Sequence, residues 1–111
     1  MRRTLFTALL LTLLGASACA PVQASRLYVR GTEALDRGDV TRAVDDLEQA
    51  AALVPEASEV QNHLGLAYGA AGRDQEALAA FERAVALDCD NQAAQQNLRA
   101  AERRASGASS R

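Results

Sequence analysis

An internal repeat with an offset of 34 residues constrains the fold of this chain more than any other feature of its sequence. The two copies align without a gap, and small residues fall on small residues, whereas large apolar residues fall on large ones. The aligned positions pair Gly31 with Gly65, Gly38 with Gly72, Ala43 with Ala77, Leu47 with Phe81, Ala50 with Ala84 and Pro55 with Cys89. Repeats of 20 to 50 residues are typical of chains that stack copies of one supersecondary unit.

The aligned small residues predict two helices that pack closely. The first glycine of each copy falls within a predicted helix, where glycine costs about 1 kcal/mol relative to alanine. We expect close helix packing to offset that cost, with Ala43 and Ala77 as the matching small residues on the second helices. Leu47 and Phe81 are then expected to fill the space one turn further on.

The second aligned glycine of each copy predicts a turn. Gly38 and Gly72 each end a first helix, where a left-handed residue closes the last turn. Asp39 and Asp74 follow them and are predicted to cap the next helix. Pro55 cannot continue the second helix and is predicted to mark the boundary between the copies.

These positions resemble the tetratricopeptide repeat, a helix-turn-helix unit of about 34 residues. In the second copy, the residues that carry the resemblance are Leu64, Gly65, Tyr68, Gly72, Ala77, Phe81 and Ala84. The first copy departs from the pattern, because Arg30 and Ala34 stand where the second has Leu64 and Tyr68. The resemblance implies an all-α fold, a short α-solenoid of two helical hairpins with a C-terminal capping helix.

We predict one small domain built from five helices. The helices are expected at 26–37, 41–53, 56–71, 75–87 and 91–105. The predicted layout is a signal peptide at 1–18, a tether at 19–25, a first repeat at 26–57, a second repeat at 58–91, a capping helix at 92–105 and a disordered tail at 106–111. Two repeats bury little surface, so self-association to a homo-oligomer would be a natural supplement.

The N-terminus has the pattern of a secretory signal peptide. Arg2 and Arg3 precede an apolar run at 5–14, and small residues follow at 15–18. The apolar run is shorter than the roughly 20 residues that span a bilayer, so a permanent membrane anchor is disfavoured. We therefore expect export.

The residues around the predicted cleavage site leave two alternatives. Ala16, Ser17, Ala18 and Cys19 resemble a bacterial lipoprotein box, which implies lipid on Cys19. Ala20, which follows where an Asp would signal retention, resembles the pattern of lipoproteins on the periplasmic face of the outer membrane. Ala16 replaces the Leu that this box prefers, so ordinary cleavage after Ala18, giving a soluble periplasmic protein, stays open.

Charge argues against a nucleic-acid partner. The chain has 12 basic residues, all Arg, and 14 acidic ones, for a net charge of −2. Removing the signal peptide removes Arg2 and Arg3 and makes the chain more acidic still. A basic face that could neutralise phosphates is therefore not expected.

The resemblance implies a concave partner-binding face lined by the first helix of each repeat. The candidate residues are Tyr28, Thr32, Leu35, Asn62, His63, Leu66, Gly69 and Gln96. Rings, aliphatic surface and amides together suit an extended or helical peptide. Some family members grip a terminal carboxylate with Lys, Asn and Arg, but Tyr28, Thr32 and His63 occupy the corresponding positions here, so that clamp is not expected.

We predict no catalytic residues, metal site or cofactor. His63 is the only histidine, and no acid-base or nucleophile arrangement surrounds it. Asp88, Cys89 and Asp90 are too few and too close in sequence to enclose zinc. Cys89 is interpreted as a turn residue; a disulfide to Cys19 is the alternative if Cys19 carries no lipid.

The sequence thus predicts a non-catalytic adaptor or assembly factor of the bacterial cell envelope, whose partner is another envelope protein. The alternative is a soluble, chaperone-like periplasmic subunit without a lipid anchor. An enzyme is the third hypothesis and would require acid-base partners around His63.

Overall fold

The computed structural model describes the backbone of residues 2–110 and the side chains of residues 19–110. This part of the chain forms helices joined by short turns, without a β-strand. The helices are α1 (Arg2–Asp36), α2 (Val40–Leu53), α3 (Ser58–Ala70), α4 (Asp74–Leu87) and α5 (Gln92–Ser109). The all-α prediction is confirmed, whereas the predicted signal peptide, residues 1–18, lies outside the residues whose side chains are described.

The helices stack as two antiparallel hairpins and a final helix. Each helix packs on the next one in the chain, and α3 also contacts both α1 and α5. Helices α1, α3 and α5 therefore form an inner layer, and α2 and α4 form an outer layer. This arrangement is a short α-solenoid, because each unit is stabilised mainly by its neighbours in sequence.

Two mid-helix glycines allow the hairpins to close. A methyl group on Gly31 would lie 2.7 Å from Leu47 Cγ, and one on Gly65 would lie 2.5 Å from Phe81 Cε1. Both distances are far below van der Waals contact, so the large side chain of each outer helix packs directly on the glycine. From the sequence we expected the small residues Ala43 and Ala77 to lie opposite these glycines. In the structure Leu47 and Phe81 lie opposite them.

The predicted packing residues divide by position. Those between the helices are buried: Gly31, Ala43, Leu47, Ala50, Leu64, Gly65, Ala77, Phe81 and Ala84. Tyr68 is half-buried, and Gly38, Gly72 and Pro55 are exposed in turns. The burial of the first group is what offsets the entropy of ordering such a small domain.

The two hairpin turns have the same backbone conformation, but only the first is followed by a helix with a side-chain N-cap. Gly38 and Gly72 have φ angles of 77° and 73°, the left-handed conformation that these turns require. Asp39 caps α2 by accepting a hydrogen bond from the Arg42 backbone N–H at 3.3 Å. The cap position of α4 is Arg73, which makes no side-chain cap bond. The predicted cap at Asp74 is therefore wrong, because Asp74 is already the first residue of α4.

Both ends of the domain are more helical than the sequence predicts. Residues 19–25, predicted as a tether, belong to α1, and Pro21 among them lies within the helix. Ala24 and Leu27 are 3% and 7% exposed, so packing extends to this turn of the helix. Helix α5 continues to Ser109, through a segment predicted to be disordered.

Within the part of the chain that the structure describes, no helix has the length and apolar character needed to cross a membrane.

Candidate partner-binding surface

The inner layer carries the predicted partner-binding residues. Tyr28, Thr32 and Leu35 lie on α1 and are partly exposed, and so are three residues of α3: His63, Leu66 and Gly69. Gln96 is exposed on α5. Because α3 contacts both α1 and α5, these side chains belong to one layer of neighbouring helices.

A polar contact on this layer joins α1 to α3. Tyr28 Oη lies 3.2 Å from His63 Nδ1, and the two rings meet edge to face with centroids 5.2 Å apart. His63 Nδ1 also lies 3.0 Å from the Glu59 carbonyl oxygen. Since a carbonyl oxygen can only accept, this geometry favours a proton on Nδ1. The pair holds two adjacent inner helices at a fixed spacing.

The environment of Tyr28 keeps its hydroxyl protonated. Partial burial raises the pKa of Tyr28, and the negative charge of Glu59 raises it further. Glu59 also lies 3.6 Å from His63 Nδ1 through its carboxylate. The three side chains form a polar cluster that presents donors and acceptors to the solvent.

An apolar cavity of about 310 Å³ adjoins this cluster and shares two of its residues. It lies where α1 meets the turn between α2 and α3, and its lining is Pro21, Ala24, Ser25, Tyr28, Val54, Ala57, Glu59 and Val60. The sequence did not indicate this cavity, because Val54 and Ala57 approach α1 only through tertiary packing. An apolar space with a few polar groups at its edge is the usual form of a ligand site.

Asn62 is a correction to the predicted surface. Its side chain is 2% exposed and accepts a hydrogen bond from Asn97 Nδ2 at 2.9 Å. A buried amide needs such a partner, and Asn97 supplies it from α5. Asn62 therefore fastens the capping helix to the second repeat and is not available to a partner.

A second inner-layer feature, also missed from the sequence, lies between α3 and α5. Arg104 of α5 reaches towards α3, and its Nη1 lies 3.9 Å from the point that a Cβ on Gly69 would occupy. A cavity of about 240 Å³ opens there, lined by Gly65, Leu66, Gly69, Ala70, Phe81 and Arg104. The lack of a side chain at Gly69 leaves this space open.

A different cluster joins α2, α3 and α4 around Tyr68. Tyr68 Oη donates to Glu48 Oε1 at 2.7 Å, and the Arg73 guanidinium lies 4.6 Å from the Tyr68 ring centroid. Arg73 also pairs with Glu76 at 2.7 Å. Partial burial, followed by the bond to Glu48, raises the pKa of Tyr68 to about 12. These contacts satisfy one another, so we assign the cluster to stability.

The remaining reactive groups are scattered. Among the described residues, no group of three or more His, Cys, Asp or Glu side chains could hold a metal ion. Cys19 and Cys89 are both exposed free thiols, so the structure contains no disulfide between them.

Known proteins share both the sequence pattern and the fold. The family model described as tetratricopeptide repeat matches residues 28–94. The Sgt2 TPR domain from Aspergillus fumigatus is 26% identical with a TM-score of 0.67, and the match covers 70% of this chain and 52% of that domain. The OM64 TPR domain of Arabidopsis is 17% identical with a TM-score of 0.73, covering 76% of this chain and 69% of that domain.

The chain spans about half the length of the Aspergillus domain. No curated protein matches the chain. The family model nevertheless covers more than half of the residues and includes both hairpins. This chain therefore belongs to the tetratricopeptide repeat family.

Proposed function

We propose that this protein is a non-catalytic adaptor or assembly factor that binds a segment of another protein along its inner layer. Tetratricopeptide repeat proteins are in general interaction modules and not catalysts, which supports the coarse assignment. The observation that carries the proposal is the apolar cavity beside Tyr28, together with the partly exposed His63 and Leu66 on the next inner helix.

The chemistry of this surface suits a peptide segment. The cavity of about 310 Å³ accepts one apolar side chain, and its wall is almost wholly apolar. The Tyr28 hydroxyl and the Glu59 carboxylate stand beside it and can orient the peptide backbone by hydrogen bonding. Thr32 and Leu66 extend the surface along α1 and α3. Binding would thus combine one buried anchor with polar contacts at its edge.

We further propose that the protein works in the bacterial envelope, held to the periplasmic face of the outer membrane by lipid on Cys19. The N-terminal sequence pattern supports this location. In the structure the Cys19 thiol is exposed, and Ala24 is the first buried residue of the described range 19–110, so a lipid on Cys19 would not disturb the described core. The soluble, chaperone-like periplasmic form is the second candidate, favoured by Ala16 in place of Leu.

In-cell photo-crosslinking tests the binding surface. A photoreactive residue replaces Leu66 on the inner layer, and the control replaces Arg83, which is exposed on the outer helix α4. We expect one envelope protein to be captured from position 66 and not from position 83. Equal capture from both positions, or only adducts of the chain with itself, would refute the inner layer as the working surface and favour a homo-oligomer.

The intact mass of the protein isolated from membranes tests the anchor. Diacylation or triacylation of Cys19 is expected, and a Cys19→Ala variant should be released in soluble form. A mature chain that begins at Cys19 without added lipid mass would support the soluble alternative.

A further inference from the structure

We propose that the cavity between α3 and α5 binds a carboxylate side chain from an acidic stretch within the partner segment, through Arg104. This inference rests on the proposed function and adds a chemical requirement for the partner. The residues concerned are Leu66, Gly69, Ala70, Phe81 and Arg104, which we call the Arg104 site.

The first support is a cation without an internal partner. The ion pairs of arginine among residues 19–110 join Arg30, Arg37, Arg42 and Arg73 to carboxylates. In that part of the chain Arg104 takes part in no ion pair, although the protein carries more acidic than basic residues. Asp74 shares a second cavity with Arg104 but lies beyond ion-pair distance. The guanidinium thus keeps its full capacity to bind a carboxylate.

The second support is the space beside that cation. A methyl group on Gly69 would be 3.9 Å from Arg104 Nη1 and 4.0 Å from Ala77 Cβ, so the helix backbone itself forms the floor. Leu66 and Phe81 contribute apolar surface to the lining, and Arg104 contributes polar surface. A carboxylate that enters between them is partly removed from water, which strengthens its attraction to a guanidinium.

The geometry favours an internal segment over a chain terminus. Arg104 lines the 240 Å³ cavity on one side and a cavity of about 350 Å³ on the other, next to Gly72 and Leu78. A peptide can therefore continue past Arg104 in either direction. This cation comes from α5, whereas the family's terminal-carboxylate clamp uses positions that Tyr28, Thr32 and His63 occupy here.

Fluorescence anisotropy with defined peptides tests the site on the protein as isolated from cells. The probe is a labelled nonapeptide of alternating Leu and Glu with a blocked, amidated C-terminus, compared with the same peptide carrying Gln for Glu. We expect saturable binding of the Glu peptide, at least about fivefold tighter than the Gln peptide and weakened by added salt. Arg104→Glu should remove that preference, whereas Arg99→Glu, the same charge change on the same helix, should retain it.

A second pair of variants tests whether the open cavity beside Gly69 is needed for binding. Gly69→Leu fills the cavity and should abolish binding of the Glu peptide. Gly107→Leu is the matched control, because nothing lies within 4 Å of a Cβ at that position. Leu is a better helix former than Gly, so neither change is expected to unfold its helix. Unchanged binding by Gly69→Leu, or an equal loss with Arg99→Glu and Arg104→Glu, would overturn the proposal.

The remaining outcomes separate this inference from the general one. If a Gln peptide with a free C-terminal carboxylate binds as tightly as the Glu peptide, the assignment of the site to a side-chain carboxylate is overturned. If crosslinking from position 66 captures an envelope protein but Arg104→Glu leaves the preference for the Glu peptide unchanged, the adaptor function holds and the Arg104 site is refuted. If both experiments fail, the inner layer is not a binding surface.

Discussion

The two repeats have the same helical-hairpin fold but differ at the seam, the interface between the two helices of each hairpin. The side chains buried there are polar in the first repeat and apolar in the second. In the second repeat, Leu64 on α3 and Ala80 on α4 are both buried apolar residues. At the positions aligned with them, the first repeat has Arg30 and Asp46, joined by a 3.0 Å ion pair. Asp46 is only 2% exposed, so the first repeat accommodates a buried carboxylate where the second buries only hydrocarbon.

The first repeat accommodates this polar seam because Arg30 and Asp46 carry opposite charges. Arg30 itself is 55% exposed, which lets its guanidinium stay hydrated while it neutralises Asp46. Arg42 approaches the other carboxylate oxygen at 3.9 Å, yet that oxygen accepts no hydrogen bond. Among the described residues, each repeat thus has one buried oxygen without a hydrogen-bond partner, Asp46 Oδ2 in the first and Gln61 Oε1 in the second. Buried ion pairs such as Arg30–Asp46 contribute little net stability.

The largest effect should come from the apolar seam of the second repeat. Phe81→Ala removes the ring that packs on Gly65 and should lower the free energy of unfolding by about 4 kcal/mol. The equivalent change, Leu47→Ala, should cost about 3 kcal/mol. Urea denaturation measures both. Leu87→Ala, at the exposed end of α4, is the control, and a cost there equal to that of Phe81→Ala would contradict the comparison.

The polar seam of the first repeat predicts a smaller and reversible effect. Arg30→Leu leaves Asp46 buried beside Arg42 alone and should cost about 2 kcal/mol, less than for a fully buried pair because Arg30 is half-exposed. The double variant Arg30→Leu with Asp46→Ala reproduces the second repeat and should recover or exceed the original stability. A double variant less stable than Arg30→Leu alone would disprove this account.

The helix caps predict a third difference. Asp39→Ala removes the cap of α2 and should cost about 1 kcal/mol. Asp74→Ala loses only a favourable charge in the first turn of α4, which is worth about 0.5 kcal/mol. Thermal unfolding of the two variants should rank them in that order. The opposite ranking would show that Arg73 does not hold the cap position in solution.

The smallest effect concerns Tyr68, which has no counterpart at Ala34. Its pKa of about 12 lies above the ordinary value of 10, so the folded state holds that proton more tightly. The resulting stability is present below pH 10 and is lost as the pH rises through 12. The chain has two tyrosines, so ultraviolet titration of a Tyr28→Phe variant reports Tyr68 alone. Adding Glu48→Gln should lower the midpoint; no change would refute the role of Glu48.

Much of the fold could be predicted from the sequence because repeat packing is local. The 34-residue register, the left-handed turn glycines and the buried seam all follow from spacing within a single hairpin. The ends were less predictable. Residues 19–25 and 106–109 have polar or small side chains that suit a tether or a tail, but both segments are helical.

The candidate site was predictable only as a face. The family resemblance assigned Tyr28, His63 and Leu66 to the inner helices, and the structure brings Tyr28 and His63 together. The sequence could not reveal that Asn62 turns inward, because its hydrogen-bond partner Asn97 lies 35 residues away on α5. The apolar cavity and the Arg104 site were equally hidden, since each is formed by residues from separate helices.

The repeat, the all-α class and the two turn glycines were predictable from the sequence, because they depend on helical periodicity and on glycine conformations within about 34 residues. The Arg30–Asp46 ion pair, the exposure of individual polar residues and the cavities between helices could be seen only in the folded molecule. These features depend on distances between side chains that are far apart in the chain, and such distances are set by packing.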